Sequence, residues 1–277
     1  MSFAIRSFPR NLSVECSAES AQFALPARGA FAPVPSDKKA SSIGSVTGRV
    51  HAIRNLAADM VKVVISTDEQ LEILPGQHVQ VCISGFPSRV YSPTVPLKEP
   101  VDNRKICFHV RRVANGRVSS ALGAAIGPGR KASISRPEGS AFLRPGLSNR
   151  LVLVSSGAGF ASVWSIAHAA LRENAEREIV VIAEAKHRGD LYLANALVRL
   201  AACPNVRVHP VIRAADKPQS AFWINNPLVF MPRLSPDDIV HAFGAPLLVE
   251  GVASVARTAG ALCYAEPFVA AELEATP

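Results

Sequence analysis

Aromatic side chains make up only 6% of the 277 residues, and tyrosine occurs just three times. Lys and Arg are scattered, with no run longer than three. Together these two features argue against nucleic-acid binding, despite a net charge of +8. The five cysteines, Cys16, Cys82, Cys107, Cys203 and Cys263, are far apart and make no CxxC or CxxxxCxxC spacing. That excludes an encoded zinc site or ferredoxin-type iron–sulfur cluster. Isolated cysteines of this kind serve as small core residues in a reducing compartment. A long apolar run is also missing. "LVLVSSGAGFASVWSIAHAAL" comes nearest, and its Ser, Gly and His content argues against a membrane span. The N-terminus has Arg6 and Arg10 but no extended apolar stretch, so no secretory signal is read there. The expectation is a cytoplasmic enzyme.

What remains is an ordinary globular composition, 48% apolar and 19% charged, at a length that permits two cored domains. The positive excess suits a phosphate-bearing cofactor or an acidic protein partner. Residues 1–44 are rich in Ser, Ala and Pro and read as an N-terminal extension, with "FAPVPSDKKASS" as a linker. Residues 45–147 read as short strands: "VTGRVHAIRNL", "MVKVVISTD", "HVQVCIS", "KICFHVRRV" and "RKASISR". Turn signals separate them, among them Pro75-Gly76, Asn115-Gly116 and Gly127-Pro128-Gly129. Such spacing predicts a closed antiparallel barrel. "GRVSSALGAAI" breaks the pattern and predicts one short helix. Residues 148–277 alternate buried strands with helices, which predicts a parallel, Rossmann-like sheet covered on both faces.

Three short motifs carry chemistry. Gly157-Ala158-Gly159 lies between a buried strand and a helix, where backbone amides attract a pyrophosphate. The full GxGxxG is absent, and an ordinary tight turn is the alternative reading. "NGRVSSALG" places Gly116, Val118 and Ser119 beside the predicted short helix; a second phosphate site and a plain serine N-cap both fit. "PSRVYSPTVPL" offers Arg89, Tyr91 and Ser92: a planar cation for a phosphate, an aromatic face for a flat heterocycle, and a hydroxyl for a ring nitrogen. Taken alone it reads equally as a surface turn. Two phosphate candidates on two domains describe two cofactors meeting at a cleft.

From Val46 to Phe268 the chain resembles the ferredoxin–NADP reductase superfamily, specifically the flavin reductases that serve bacterial Rieske-type and related oxygenases. Arg89-Val90-Tyr91-Ser92 matches R-x-Y-S, and "NGRVSSAL" matches G-x-x-S-x-x-L. "SRPEGSAFL" matches the barrel-closing P-x-G-x-F, "SSGAGFAS" matches G-T-G-I-x-P, and "HAFGAPLLVEGV" matches C-G-P-P-x-M-V. The resemblance implies a six-stranded Greek-key flavin-binding barrel followed by a nucleotide-binding α/β domain. It implies that Arg89 holds flavin phosphates, Tyr91 packs on the isoalloxazine and Ser92 reaches its N5. His109, Val110 and Arg111 line the ribityl and phosphate path, and Gly116, Val118 and Ser119 hold the pyrophosphate. Gly157, Ala158, Gly159, Gly244 and Ala245 form the nicotinamide-nucleotide side, and Phe268 covers the flavin. The pyrophosphate motif favours FAD over FMN. Glu184 fits a ribose diol and NADH, whereas Lys186, His187 and Arg188 fit a 2′-phosphate; NADH is the preferred reading. Three positions depart from the pattern: Ala158 replaces a threonine, Ser162 a proline and Phe243 a cysteine. Phe243 is accordingly expected at the nicotinamide pocket, filling it at rest.

The implied function is an FAD-dependent NAD(P)H oxidoreductase delivering electrons to a separate, acidic iron–sulfur protein or oxygenase component. Residues 1–44 read alternatively as a degenerate remnant of a ferredoxin domain without its cluster cysteines. Two rivals are kept: a redox-impaired relative with an assembly or sensory role, and a reductase that uses free flavin as a substrate.

Overall fold

A computed structural model of the protein describes residues 44–97, 102–213 and 226–269. The N-terminal extension, with Cys16, lies outside the described residues. Both sheets belong to one compact unit. The first half forms seven strand segments: β1 (Val46–Asn55), β2 (Met60–Thr67), β3 (Val79–Ile83), β4 (Arg89–Tyr91), β5 (Pro93–Thr94), β6 (Lys105–Arg111) and β7 (Lys131–Ile134). Their order is β4-β3-β7-β1-β2-β6-β5, antiparallel throughout. The expected six strands become seven for a local reason. β4 pairs with β3, β5 pairs with β6, and only Ser92 separates them. One closing strand is thus broken in the middle, because Pro93 has no amide to extend a ladder. The near-closed barrel is sealed by Ser92 passing from one edge to the other. Period-two burial in β3 puts Val79, Val81 and Ile83 inside, where they join Ile65, Phe108, Ile126 and Ile134.

The helix expected at 116–126 is not formed. The segment is a run of turns, with Ala121 N–H donating to Val118 C=O and Ala124 N–H to Ala121 C=O. Val118, Leu122 and Ile126 still enter the barrel core at helix-like spacing. Glycines at 116, 123 and 127 favour turns over a continued helix.

The second half is a five-stranded parallel sheet. Its strands are β8 (Leu151–Ser156), β9 (Ile179–Ala185), β10 (Val206–Ile212), β11 (Ile239–Gly244) and β12 (Leu262–Pro267). They lie in the order β10-β9-β8-β11-β12. β9 and β11 are buried along their whole length, as expected of a sheet covered on both faces. Helix α1 (Phe160–Glu173) and α2 (Ala194–Ala201) pack one face, and α3 (Pro246–Thr258) packs the other. Pro210 is accommodated because β10 is an edge strand. No helix among the described residues is long and apolar enough to cross a membrane.

The broken strand also sets the position of the second sheet. Just past Ser92, the Thr94 hydroxyl donates to Ala161 C=O at 2.9 Å, and Trp164 Nε1–H donates to Val95 C=O at 3.0 Å. Arg199 of α2 donates to Leu97 C=O. Farther round, His78 before β3 meets Glu266 of β12 at 3.0 Å. These contacts bind α1, α2 and β12 to the barrel, leaving a cleft above them.

Candidate functional site

A cavity of about 780 Å³ occupies that cleft, walled by both sheets. Arg89, Tyr91 and Ser92 all line it. Tyr91 is half-buried, its ring tilted 52° against Phe108 at 5.9 Å between centroids. Burial pushes its hydroxyl up to about 12, against the opposing charge of Arg89, so the phenol stays neutral. Arg89 spends one donor on Ser88 C=O at 2.8 Å. Its remaining donors suit an anion.

The next strand adds His109, Val110 and Arg111 to the wall. Burial, with Lys62 nearby, pushes His109 down to about 3. Its imidazole is therefore a neutral hydrogen-bonding group. Its Nδ1 is buried without a partner among the described residues, and the ring stands edge-on to Tyr192 at 5.4 Å. Arg111 pairs with Asp59 at 2.9 Å, and its guanidinium lies 3.0 Å from where a Cβ on Gly157 would sit. This cation thus bridges the strand and the glycine turn of the opposite domain. Gly116, Val118 and Ser119 complete the barrel side. The Ser119 hydroxyl accepts from Val113 N–H at 3.1 Å, which ties off the turn and leaves its proton to donate.

On the α/β side Gly157 and Ala158 line the cavity. They form a short 3₁₀ turn leading into α1, whose N-terminus has no side-chain cap. The Phe160 N–H already donates to the carbonyls of that turn, and Ala161 is the one residue of the first turn of α1 that lines the cavity. Gly159 does not reach the cavity. Its backbone lies against Phe243, where an added Cβ would sit 2.4 Å from the Phe243 carbonyl oxygen. Gly159 therefore lets helix and strand approach, and it is not among the residues that line the cavity. The expectation for Phe243 is corrected. It is 0% exposed and packs in the core beneath α1, parallel to His241 and edge-on to Phe268 at 6.5 Å. It does not fill the pocket; it supports Phe268 from behind. Ser162, also buried, is likewise not part of the wall.

Gly244 and Ala245 do line the cavity. Gly244 has φ +122°, and a Cβ there would lie 2.6 Å from Ser156 C=O, so no other residue fits without strain. The Ser156 hydroxyl accepts from Ala245 N–H at 2.7 Å. Phe268 lines the cavity too, held by its N–H donating to Gly244 C=O at 2.7 Å. Glu184 and Lys186 stand at the end of β9 as expected, but the Glu184 carboxylate is engaged by Arg213 from β10's exit.

Sequence reasoning missed Arg213, Glu266 and Ser156 as wall residues. Two of them left a signal. In a parallel sheet neighbouring strand ends share an edge, so the residues just past β10 fall beside Glu184. Glu266 lies two residues before Phe268, on the same side of an extended chain. Glu266 also holds His78 as an ion pair, and the bond to that carboxylate raises the His78 pKa against the effect of burial.

With this geometry in view, residues 48–142 match the family described as "Oxidoreductase FAD-binding domain". That segment is an FAD-binding oxidoreductase domain. The chain is 28% identical over 218 residues to the reductase component of the naphthalene 1,2-dioxygenase system of Pseudomonas putida, termed a ferredoxin–NAD(P)(+) reductase, covering 78% of this chain and 65% of that protein. It is 27% identical over 222 residues to terephthalate 1,2-dioxygenase reductase component 2 of Comamonas sp, with the same coverage. The chain thus spans about 65% of the length of these curated relatives. The fold is similar to that of the ferredoxin reductase in carbazole 1,9a-dioxygenase, with a TM-score of 0.67, 21% identity, and 83% of this chain and 71% of that chain covered. It is also similar to a Neisseria gonorrhoeae ferredoxin NADP+ reductase with bound FAD and NADP, with a TM-score of 0.63, 17% identity, and 80% of this chain and 98% of that chain covered. The fold is accordingly ferredoxin-reductase-like.

The residues present fit FAD. A neutral half-buried phenol, two guanidinium groups, an orphaned imidazole nitrogen and a serine turn share one wall of one cavity.

Proposed function

We propose that this protein is a flavin-dependent NAD(P)H oxidoreductase that passes electrons to a separate iron–sulfur protein or oxygenase component. Residues 45–147 are its FAD domain and residues 148–277 its nicotinamide-nucleotide domain. The observation that carries the reading is the single cavity that unites the Arg89–Ser92 strand, the Gly116–Ser119 turn and the Gly157–Ala158 turn. When bound, FAD supplies the conversion between two-electron and one-electron transfer, which no side chain here can perform.

The chain's own residues orient and shield. Arg89 and Arg111 neutralise phosphate charge. Tyr91 covers one face of the flavin ring, and Ser92, fixed at the break between β4 and β5, offers its hydroxyl to a ring nitrogen. His109, being neutral, hydrogen-bonds without adding charge. The Gly157–Ala158 turn before α1 receives the phosphates of the nicotinamide nucleotide. Gly244 and Ala245 leave room beside it. Phe268, seated on Phe243 and on Gly244 C=O, excludes water from the opposite face.

The acceptor is an acidic partner, a reading supported by the net charge of +8. The relatives are reductase components of dioxygenase systems, which supports such a partner here. The rival of a redox-impaired subunit drew on Ala158 and Phe243. Phe243 is buried and does not block the cavity.

An absorbance spectrum of the purified full chain, incubated with FAD, desalted and titrated under nitrogen with NADH or NADPH, tests the reading. A retained flavin band that bleaches on nucleotide addition is expected. A colourless protein after desalting, with free flavin still reduced in its presence, would instead make FAD a passing substrate. Retained flavin that no nicotinamide bleaches would restore the redox-impaired rival.

A further inference from the structure

We propose that His78 is a positioning residue for Phe268: by gripping Glu266 of β12, it sets how firmly Phe268 stays in the cavity wall, and so how readily a nicotinamide ring reaches the flavin. The inference rests on the proposed reading of the cavity as a flavin and nicotinamide-nucleotide site.

Alternate residues of a strand share a face. On β12 that face carries Tyr264 and Glu266, and Phe268 follows just past the strand's end. Tyr264 and Phe268 pack against the same core cluster. The barrel side takes up the first two in turn. The Arg144 guanidinium lies 4.4 Å over the Tyr264 ring, and His78 Nδ1 meets Glu266 Oε1 at 3.0 Å. Phe268 is the last of the three. Its N–H donates to Gly244 C=O, and its ring meets Phe243 edge-on. The next residue, Val269, is 76% exposed. The hold on Phe268 therefore comes from Gly244, from Phe243 and from the strand upstream. Pro267 makes the upstream hold effective. Its ring fixes φ at the one residue between Glu266 and Phe268. Less of a displacement at Glu266 is then absorbed before it reaches Phe268. Glu266, Pro267 and Phe268 all line the cavity.

The barrel fixes His78 from its own side. Its backbone exchanges both hydrogen bonds with Glu138, at 3.0 and 2.8 Å. Gly139 clears the space beside the imidazole, since a Cβ there would lie 2.8 Å from His78 Nδ1. The charged groups that face the ring are Glu266 from β12 and Glu138 from the turn after β7. The hydrogen bond to Glu266 raises the His78 pKa, burial opposes it, and the charges of both acids add to the rise. The grip is therefore fullest below the unfolded value of about 6.5, and it slackens as pH rises through the folded-state value. A flat ring has two faces. Tyr91 covers one and is itself packed against Phe108. A nicotinamide approaches from the side on which Phe268 lies, so a firm grip resists it and a slack one admits it.

Hydrogen exchange of the FAD-loaded full chain tests the proposal, read on residues 262–269 against the buried strand β11 and corrected for the intrinsic pH dependence of exchange. Across the range in which an imidazole titrates, protection of 262–269 in the wild type should fall as pH rises. His78→Gln, which can keep a hydrogen bond but cannot titrate, should give a flat profile, and His78→Phe a low one throughout. Calorimetric titration with NAD+ and with 5′-AMP, which lacks the nicotinamide half, supplies the second readout. Below neutral pH, His78→Phe should bind NAD+ about threefold more tightly than the wild type does, the value of one partly exposed ion pair. AMP binding should not change. Equal protection of 262–269 in all three proteins, or NAD+ and AMP affinities that shift together, overturns the proposal. A wild type that binds neither nucleotide overturns the nucleotide-site reading instead, and the exchange profiles still decide whether His78 holds Phe268.

Discussion

On the barrel side the cavity is bounded by side chains: Arg89, Tyr91, His109, Arg111 and Ser119 all reach it from strand positions or turns. On the α/β side it is bounded largely by backbone, at Gly157, Ala158, Gly244 and Ala245, with Arg213, Lys186 and Phe268 as the main side-chain exceptions. An antiparallel barrel closed around a core can aim individual residues outward at its broken strand. A parallel sheet buried on both faces can offer only its strand ends and the turns that follow them. The same number of motif residues therefore carries different information in the two halves. A substitution in the barrel wall changes what is bound. A substitution in the α/β wall changes whether the wall exists.

The largest effect expected from this contrast is at Phe243. Phe243→Ala should lose about 3–5 kcal/mol of stability, since it removes a fully buried ring from the core. Denaturant unfolding measures the loss. FAD affinity of the remaining folded protein should stay near wild type, and a large drop in affinity without loss of stability would return Phe243 to the site. Gly244→Ala follows, at about 2–3 kcal/mol, because φ +122° and the Ser156 carbonyl both oppose a Cβ. Arg89→Ala should behave the other way. Unfolding should barely move, while FAD affinity falls by about ten- to a hundredfold, the value of a charge-assisted phosphate contact. Equal losses of stability in Arg89→Ala and Phe243→Ala would erase the distinction between the walls.

The smallest effect concerns pH. The Glu266 carboxylate raises the pKa of His78, so the protonated pair favours the folded state. A raised folded-state pKa contributes stability in full below the unfolded value of about 6.5, and loses it as pH rises through the folded-state pKa. Melting temperature should therefore decline slightly more steeply in the wild type than in His78→Gln, in which the titrating group is gone, as pH rises from about 6.5 through the folded-state pKa of His78. Parallel profiles would show that the clasp between barrel and β12 does no work.

Legibility from the sequence divides along the same line. The strand pattern of the barrel was readable from period-two alternation, as in Val79, Val81 and Ile83. The helix expected at 116–126 was misread because Val118, Leu122 and Ile126 keep helical spacing, while the glycines among them convert the backbone to turns. Side-chain wall residues of the barrel were found because each has a chemistry of its own. Phe243 was misplaced because β11 is buried on both faces. With no alternation, nothing in the sequence said that Phe243 shares the core-facing side with His241. Arg213 was missed because its partner lies 29 residues away, on a neighbouring strand whose register no local pattern reveals.

The central claim is that the strand broken at Ser92 holds a flavin against Tyr91. Titration of the full chain with FAD, followed by flavin fluorescence, tests it most directly when wild type and Tyr91→Ala are compared. The account predicts quenching that saturates near one equivalent in the wild type, and a curve at least tenfold weaker in the variant with little change in its melting temperature. Wild-type protein that leaves flavin fluorescence untouched, or a Tyr91→Ala curve that overlays it, would contradict the account.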